Sequence, residues 1–210
     1  MAEADPDALT PQLRERLVAG LEAERDEHVD PEDLAPRVEE AQGELEQSRL
    51  EIAGWELDGD WKTVSAGLER SYGRGREALG QVRETPDDDA TVHEWRKRVK
   101  DLWYQLRLLR DSWEGVIAAT VDELDRLSDL LGEHHDLAVL AEDVEARMPQ
   151  PDGDAAQLVK AAGRRQRELL AEALPVGERI YTESPRRFSK RVGSYWEAWR
   201  SEESEPDGWA

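Results

Sequence analysis

The chain has 210 residues, with 49 acidic against 28 basic side chains, a formal net charge of -21 and no cysteine. That length makes one large domain or two small ones, the missing thiols exclude disulfides and thiolate metal sites, and the acidity argues against nucleic acid and anionic lipid as partners. The opening MAEADPDALT lacks a basic segment and an apolar run, and no stretch of about 18 apolar residues occurs, so a soluble cytoplasmic protein without signal or membrane span is expected.

Almost every segment then reads as helix. Thr10-Pro11 and Asp30-Pro31 each place an N-cap before a proline at the first helical position, opening helices over about 11–29 and 31–53. The first sixty residues are dominated by Asp and Glu, with Arg14, Arg16, Arg25, Arg37 and Arg49 as their cations. Leu45 and Ile52 are among the apolar positions of the second helix, and Trp55 lies just beyond it. Gly54 and the turn LDGD stop that helix, and Asp60 caps the next, about 61–84, with Trp61, Val64, Leu68, Tyr72, Leu79 and Val82 as its apolar positions.

Residues 91–110, TVHEWRKRVKDLWYQLRLLR, form a basic helix in this acidic chain, preceded by the acidic TPDDDA where the helix dipole favours negative charge. At about 100° per residue, Val92, Trp95, Val99, Leu102, Trp103, Leu106, Leu109 and Trp113 share an apolar stripe, while His93, Arg96, Lys97, Lys100, Tyr104 and Arg107 project from the other side. Burial of the stripe fixes the helix, so the cations emerge together in an anion-binding geometry. Only five lysines occur in the chain, and two of them stand on this face three residues apart. The alternative is an ordinary solvated face, with Glu94 and Asp101 at hand to neutralise it. His93 is expected to be neutral in the free protein, because the dipole and the neighbouring cations oppose its charge, and to shift toward protonation when a polyanion binds. A capping or packing histidine is the other reading.

A helix over about 115–131 carries Val116, Ile117, Val121, Leu124, Leu127 and Leu131; Gly132 interrupts it, and EHHDLAVLAEDVEARM continues to 148. PQPDGD is the clearest loop. Helices over about 154–174, broken at Leu174-Pro175, and 184–200 complete the set. With no period-two segment of useful length, the fold class is all-α, an antiparallel helical bundle. Residues 1–30 read as an acidic N-terminal helical region, 31–200 as the helical domain and 201–210 as a disordered acidic tail in which Trp209 could dock. Eight tryptophans stand against one phenylalanine; Trp95, Trp103 and Trp113, with Trp196 and Trp199, read as core rather than as a stacking platform for nucleic acid.

VHEWRKRVKDLWYQLRLL followed by LSDLLGEHHDLAVL resembles the CHAD family, the conserved-histidine α-helical domains. The family pattern falls here on His93, Arg96, Lys97, Lys100 and Tyr104, and on Leu131, Gly132, His135 and Asp136. GLERSYGRGREAL and RIYTESPRRFSKRVGSYW extend the likeness over most of residues 50–200. The resemblance implies non-catalytic binding of inorganic polyphosphate on a basic helical surface, with no cofactor and no metal, in the cytoplasm and in association with polyphosphate granules. It adds Arg70, Arg74 and Arg76, and Arg186, Arg187, Lys190 and Arg191, as further contacts; read from the residues themselves, His135 and Asp136 are structural, bonded or paired to the basic helix, with Asp136 facing Lys97 or Arg96 to orient those cations. The family usually has two similar halves, each with a basic helix. Only one copy is present here, since nothing before residue 90 repeats H-x-x-R-K-x-x-K and His28 stands in the acidic ERDEHVD. A homodimer that restores the second half is therefore expected.

Two other functions compete. Divalent metal could bind around His134, His135 and Asp136, but adjacent histidines on a helix diverge by about 100° and the four-residue spacing of helical zinc pairs is absent. A protein-interaction module is the second. No phosphate loop, nucleophile elbow or organised carboxylate pair supports an enzyme.

Overall fold

The computed structural model describes residues 10–28, 31–56, 59–148 and 153–204. Seven α-helices occur among them: α1 (Pro11–His28), α2 (Pro31–Ala53), α3 (Trp61–Glu84), α4 (Asp89–Leu108), α5 (Glu114–Arg147), α6 (Gly153–Ile180) and α7 (Pro185–Ser204), with a 3₁₀ turn, Arg110–Ser112, after α4. No strand occurs among the described residues, in keeping with the all-α expectation. None of these helices is long and apolar enough to cross a membrane. The Asp30 cap, residues 57–58 and 149–152 of the two loops, the first nine residues and 205–210 with Trp209 lie outside the described residues.

The chain divides into two compact units, Met1–Asp58 with Asp143–Ala161, and Gly59–Glu142 with Ala162–Ala210. In the first, Thr10 caps α1 by accepting from the Leu13 amide at 3.3 Å and donates to Asp154 at 3.0 Å. Leu13, Leu17, Val144, Ala155 and Leu158 are its buried apolar side chains. Every described side chain of α2 from residue 34 on is exposed, so Leu45 and Ile52 are not buried against any of the described residues.

The second unit holds the main core. Asp60 caps α3 as expected, accepting from the Thr63 amide at 3.0 Å. Trp61 meets Gly193, Ser65 bonds Ser189 and Gly73 meets Pro185, so α3 and α7 run antiparallel. Leu68, Tyr72, Val92, Trp95, Val99, Leu102, Leu106, Leu124, Leu127 and Leu131 are almost wholly buried in one cluster. Close approach sets two glycines: a Cβ at Gly177 would overlap the Trp95 ring, and one at Gly75 the Tyr181 ring. Tyr72 stacks on Phe188 at 4.1 Å, while its hydroxyl donates to the Ile180 carbonyl at 2.8 Å and accepts from the Glu183 amide at 3.1 Å. That buried network ties α3 to the α6–α7 turn.

Three local expectations are corrected. Gly132 does not interrupt α5, and Pro175 does not end α6; both helices run through. Each site is flanked by buried residues, Leu131 and His134 in one case and Ala173 and Val176 in the other, whose packing outweighs a local propensity cost of about 1 kcal/mol for Gly and about 3 kcal/mol for Pro. Trp113 is not core but half exposed. Because α4 stops at Leu108, the helical phase that put Trp113 on the stripe is lost, and its ring instead meets Tyr195 edge-on at 4.6 Å. Trp103, Trp196 and Trp199 are half-buried.

Candidate polyanion-binding site

The α4 helix is held by its ends and its buried stripe. Asp88 caps it, accepting from the Ala90 amide at 3.2 Å, and Asp89 adds a negative charge to the first turn. With Val92, Trp95, Val99, Leu102 and Leu106 inside the core, the polar residues divide into two flanks. Glu94, Arg98, Asp101 and Gln105 lie toward α3: Gln105 donates to Ser71 at 2.7 Å, and Arg98 is paired with Glu94 and with Asp101 at 2.8 Å. The one cation of this flank is thus fully paired.

The other flank faces α5. The rings of His93 and His135 lie 4.2 Å apart at 34°. One turn on, the Arg96 guanidinium rests over Gly132, where a Cβ would stand 3.6 Å from Nε and Nη2. The family element Leu131-Gly132-x-x-His135 thus forms the seat for His93 and Arg96. His93 Nδ1 and Arg96 Nε are both buried without a hydrogen-bond partner. Farther along the same ridge, Arg107 sits 4.5 Å above the Trp103 ring, and Tyr104 is exposed beside it.

Arg96, Lys100 and Arg107 have no carboxylate partner among the described residues. Lys97 is paired with Glu94, whose carboxyl is held below its usual range by hydrogen bonds from Lys97 and Arg98. Asp136 is exposed and makes no ion pair with Arg96 or Lys97, so the orienting role expected of it is not seen; Glu94, one turn before Lys97 on the same helix, takes that place. The His93 imidazole is shifted toward the neutral form, as expected, but burial is the main cause and His135 comes next, ahead of Lys97 and Arg96.

The two adjacent histidines diverge. His135 turns to His93, while His134 is buried toward the α4 N-terminus, 3.9 Å from Asp89, and burial lowers its pKa. Among the described residues no group of three His, Asp or Glu is placed to hold a metal.

The remaining candidates separate. Arg74 lines a hollow with Glu77, Gln81, Glu94 and Arg98, on the α3 flank of α4. Arg70, Arg186, Arg187 and Lys190 are exposed on α3 and α7. Two others are committed to the fold: Arg76 donates to the Glu183 carbonyl at 3.0 Å, and Arg191 donates to the Glu183 carboxylate at 2.6 and 2.9 Å. Sequence reasoning missed Arg98, whose acids at three and four residues' distance were a legible signal of an intrahelical pair, and the Arg107–Trp103 contact, also a four-residue step.

The family model described as CHAD domain matches residues 1–145, a span that includes α4 and the α5 segment carrying Gly132 and His135. No curated protein and no solved structure matches the chain. The chain belongs to the CHAD domain family, whose members are associated with polyphosphate binding.

Proposed function

We propose that the α5-facing ridge of α4 binds inorganic polyphosphate without chemical conversion. The observation that carries this reading is the unpaired state of Arg96, Lys100 and Arg107 in a chain with 49 carboxylates for 28 cations. At 1.5 Å rise per residue these groups are spaced by about 6 Å and about 10 Å along the helix, so a linear chain of phosphates laid along it meets them in succession. Arg96 offers a forked donor and Lys100 a mobile point charge, with Lys97 and the Tyr104 hydroxyl alongside. Binding would draw Lys97 away from Glu94 and give His93 reason to take up a proton. Arg70, Arg74, Arg187 and Lys190, exposed and without carboxylate partners, are the side chains that longer polymers would reach next.

Calorimetric titration of long-chain polyphosphate and of tripolyphosphate, at two salt concentrations, tests this with the wild type and the Arg96→Gln, Lys100→Ala double variant. Long chains should bind more tightly than tripolyphosphate, salt should weaken binding, and the variant should lose at least about tenfold in affinity, since a charged hydrogen bond contributes about 1.5–3 kcal/mol. Equal affinity of variant and wild type, or indifference to chain length, would refute the assignment.

A further inference from the structure

A second surface has no role in anion binding. Along α2, Leu34, Val38, Ala41, Leu45, Ser48 and Ile52 follow one another in steps of four and three residues, and Trp55 continues the series just past the helix end. That alternation has a mean period of 3.5, the repeat of a left-handed two-stranded coiled coil. Leu34, Val38, Leu45 and Ile52 are 47–71% exposed, so this seam is covered by nothing in the described chain. The helix also contains Pro36 and Gly43, each of which weakens it. A helix of this length with such residues and no packed face is marginal in water, because most helical stability in proteins comes from burying an apolar face.

We infer that α2 is a self-association helix, pairing through this seam with α2 of a second copy of the chain in a parallel, in-register coiled coil. The heptad places Val38, Leu45 and Ile52 at the a positions and Leu34, Ala41 and Ser48 at the d positions. Two β-branched residues among the a positions favour two strands. Charge selects the direction. In the parallel register Glu44 at g faces Arg49 at e of the other copy, twice by symmetry, and Arg37 faces the neutral Gln42. The antiparallel arrangement also gains two contacts, Arg37 with Glu51, but sets Glu44 against its own copy, so the parallel one has the better balance. Among the described residues Arg49 pairs with Glu46 of its own helix alone, at 3.2 Å and in solvent, a contact it can exchange. Glu39, Glu40 and Glu46 fall at b and c, away from the seam, as do Pro36 and Gly43 at f; Glu51 lies at g, but its counterpart, Glu56, stands beyond the end of the helix, so little of the acidity of α2 opposes pairing at the contact line. The small Ala41 and Ser48 make the seam thin, which implies a reversible, concentration-dependent dimer.

The chain contains no cysteine, so single thiols report the contact cleanly. In the full-length protein, Ser48→Cys at a d position should cross-link to a dimer under mild oxidation, whereas Gly43→Cys at f should not. In light scattering, the wild type should pass from monomer to dimer as concentration rises, and Leu45→Lys combined with Ile52→Lys should shift that midpoint upward at least tenfold. Those two side chains are exposed, so the near-ultraviolet circular dichroism of the buried Trp95 and Tyr72 should be unchanged in the variant. A monomer mass up to the highest soluble concentration would overturn the inference and leave the seam to a different protein. A dimer that survives the double lysine substitution, or equal cross-linking of the two cysteine variants, would overturn it too.

Discussion

Gly132 offers a sharp test of the α4–α5 seat because two substitutions there should act in opposite directions. A Cβ at Gly132 would stand 3.6 Å from Arg96 Nε and Nη2, an ordinary contact that leaves the guanidinium in place. Gly132→Ala also removes a flexible residue from the interior of α5, which is worth about 1 kcal/mol in helix propensity and, at about 2–4 °C per kcal/mol for a chain of this size, should raise the melting temperature by a similar few degrees. Polyphosphate affinity should stay within about twofold. In Gly132→Leu the three further carbons occupy the volume that the guanidinium fills, so Arg96 must swing off its seat. Helix propensity still improves, and the position is only half-buried, so the fold should survive. One charged hydrogen bond lost or misplaced costs about 1.5–3 kcal/mol, or roughly a tenfold to hundredfold weaker complex. Thermal melts and polyphosphate titration on the three proteins read both quantities. If the leucine variant binds like wild type, Arg96 does not act from this seat; if the alanine variant loses binding, the contact distance has been misjudged.

Three further outcomes follow from the electrostatics. His93 and His134 have folded pKa values lowered by burial, so each contributes stability that is present above the ordinary histidine value of about 6.5 and is lost as pH falls through the folded value. Acid unfolding below about pH 6.5 should be shallower in His134→Gln, while polyphosphate affinity should rise from about pH 8 toward about pH 5.5 in the wild type and stay flatter in His93→Gln, as bound polyanion favours the protonated ring; a pH profile identical in both would remove His93 from the site. Arg191→Ala should lower stability by about 1–2 kcal/mol, between the fractions of an exposed ion pair and the larger cost of breaking a buried one, and leave polyphosphate affinity unchanged. A clear loss of affinity in that variant, with melting unaffected, would place Arg191 in the binding path after all.

Much of the fold was legible because its signals are local. Thr10 and Asp60 announce their helices through side chains that accept from amides three residues on, and the α4 stripe is set by period alone. The failures have a common cause in tertiary contacts. Gly132 and Pro175 are helix breakers by propensity, and only the packing of Leu131, Ala173 and Val176 keeps α5 and α6 continuous. Trp113 fell out of phase because a 3₁₀ turn intervenes, which no period can anticipate. On α2, the apolar positions Leu45 and Ile52 could be read from the sequence, but their exposure could not.

For the site, the cations of α4 could be read because they share one helix, whereas their surroundings could not. That His135 stacks on His93, that Gly132 seats Arg96 and that Glu183 collects both Arg76 and Arg191 all depend on residues distant in the chain being brought together. Under the proposed function, the same contacts supply a rationale for selectivity in so acidic a protein. Carboxylates neutralise several of its less exposed cations: Glu133, Glu168 and Glu172 surround Arg165, Glu94 and Asp101 hold Arg98, and Asp143 holds Arg147. Along the α5-facing ridge the helix places apolar or histidine neighbours beside Arg96 and Arg107 instead of acids, so their charge remains available. The chain as a whole, at a formal net charge of -21, repels a polyanion. On the proposed reading the acidity that first seems to argue against an anion-binding role narrows where such a ligand can lie, leaving the α4 ridge and the exposed, unpaired Arg70, Arg74, Arg187 and Lys190 as its contacts.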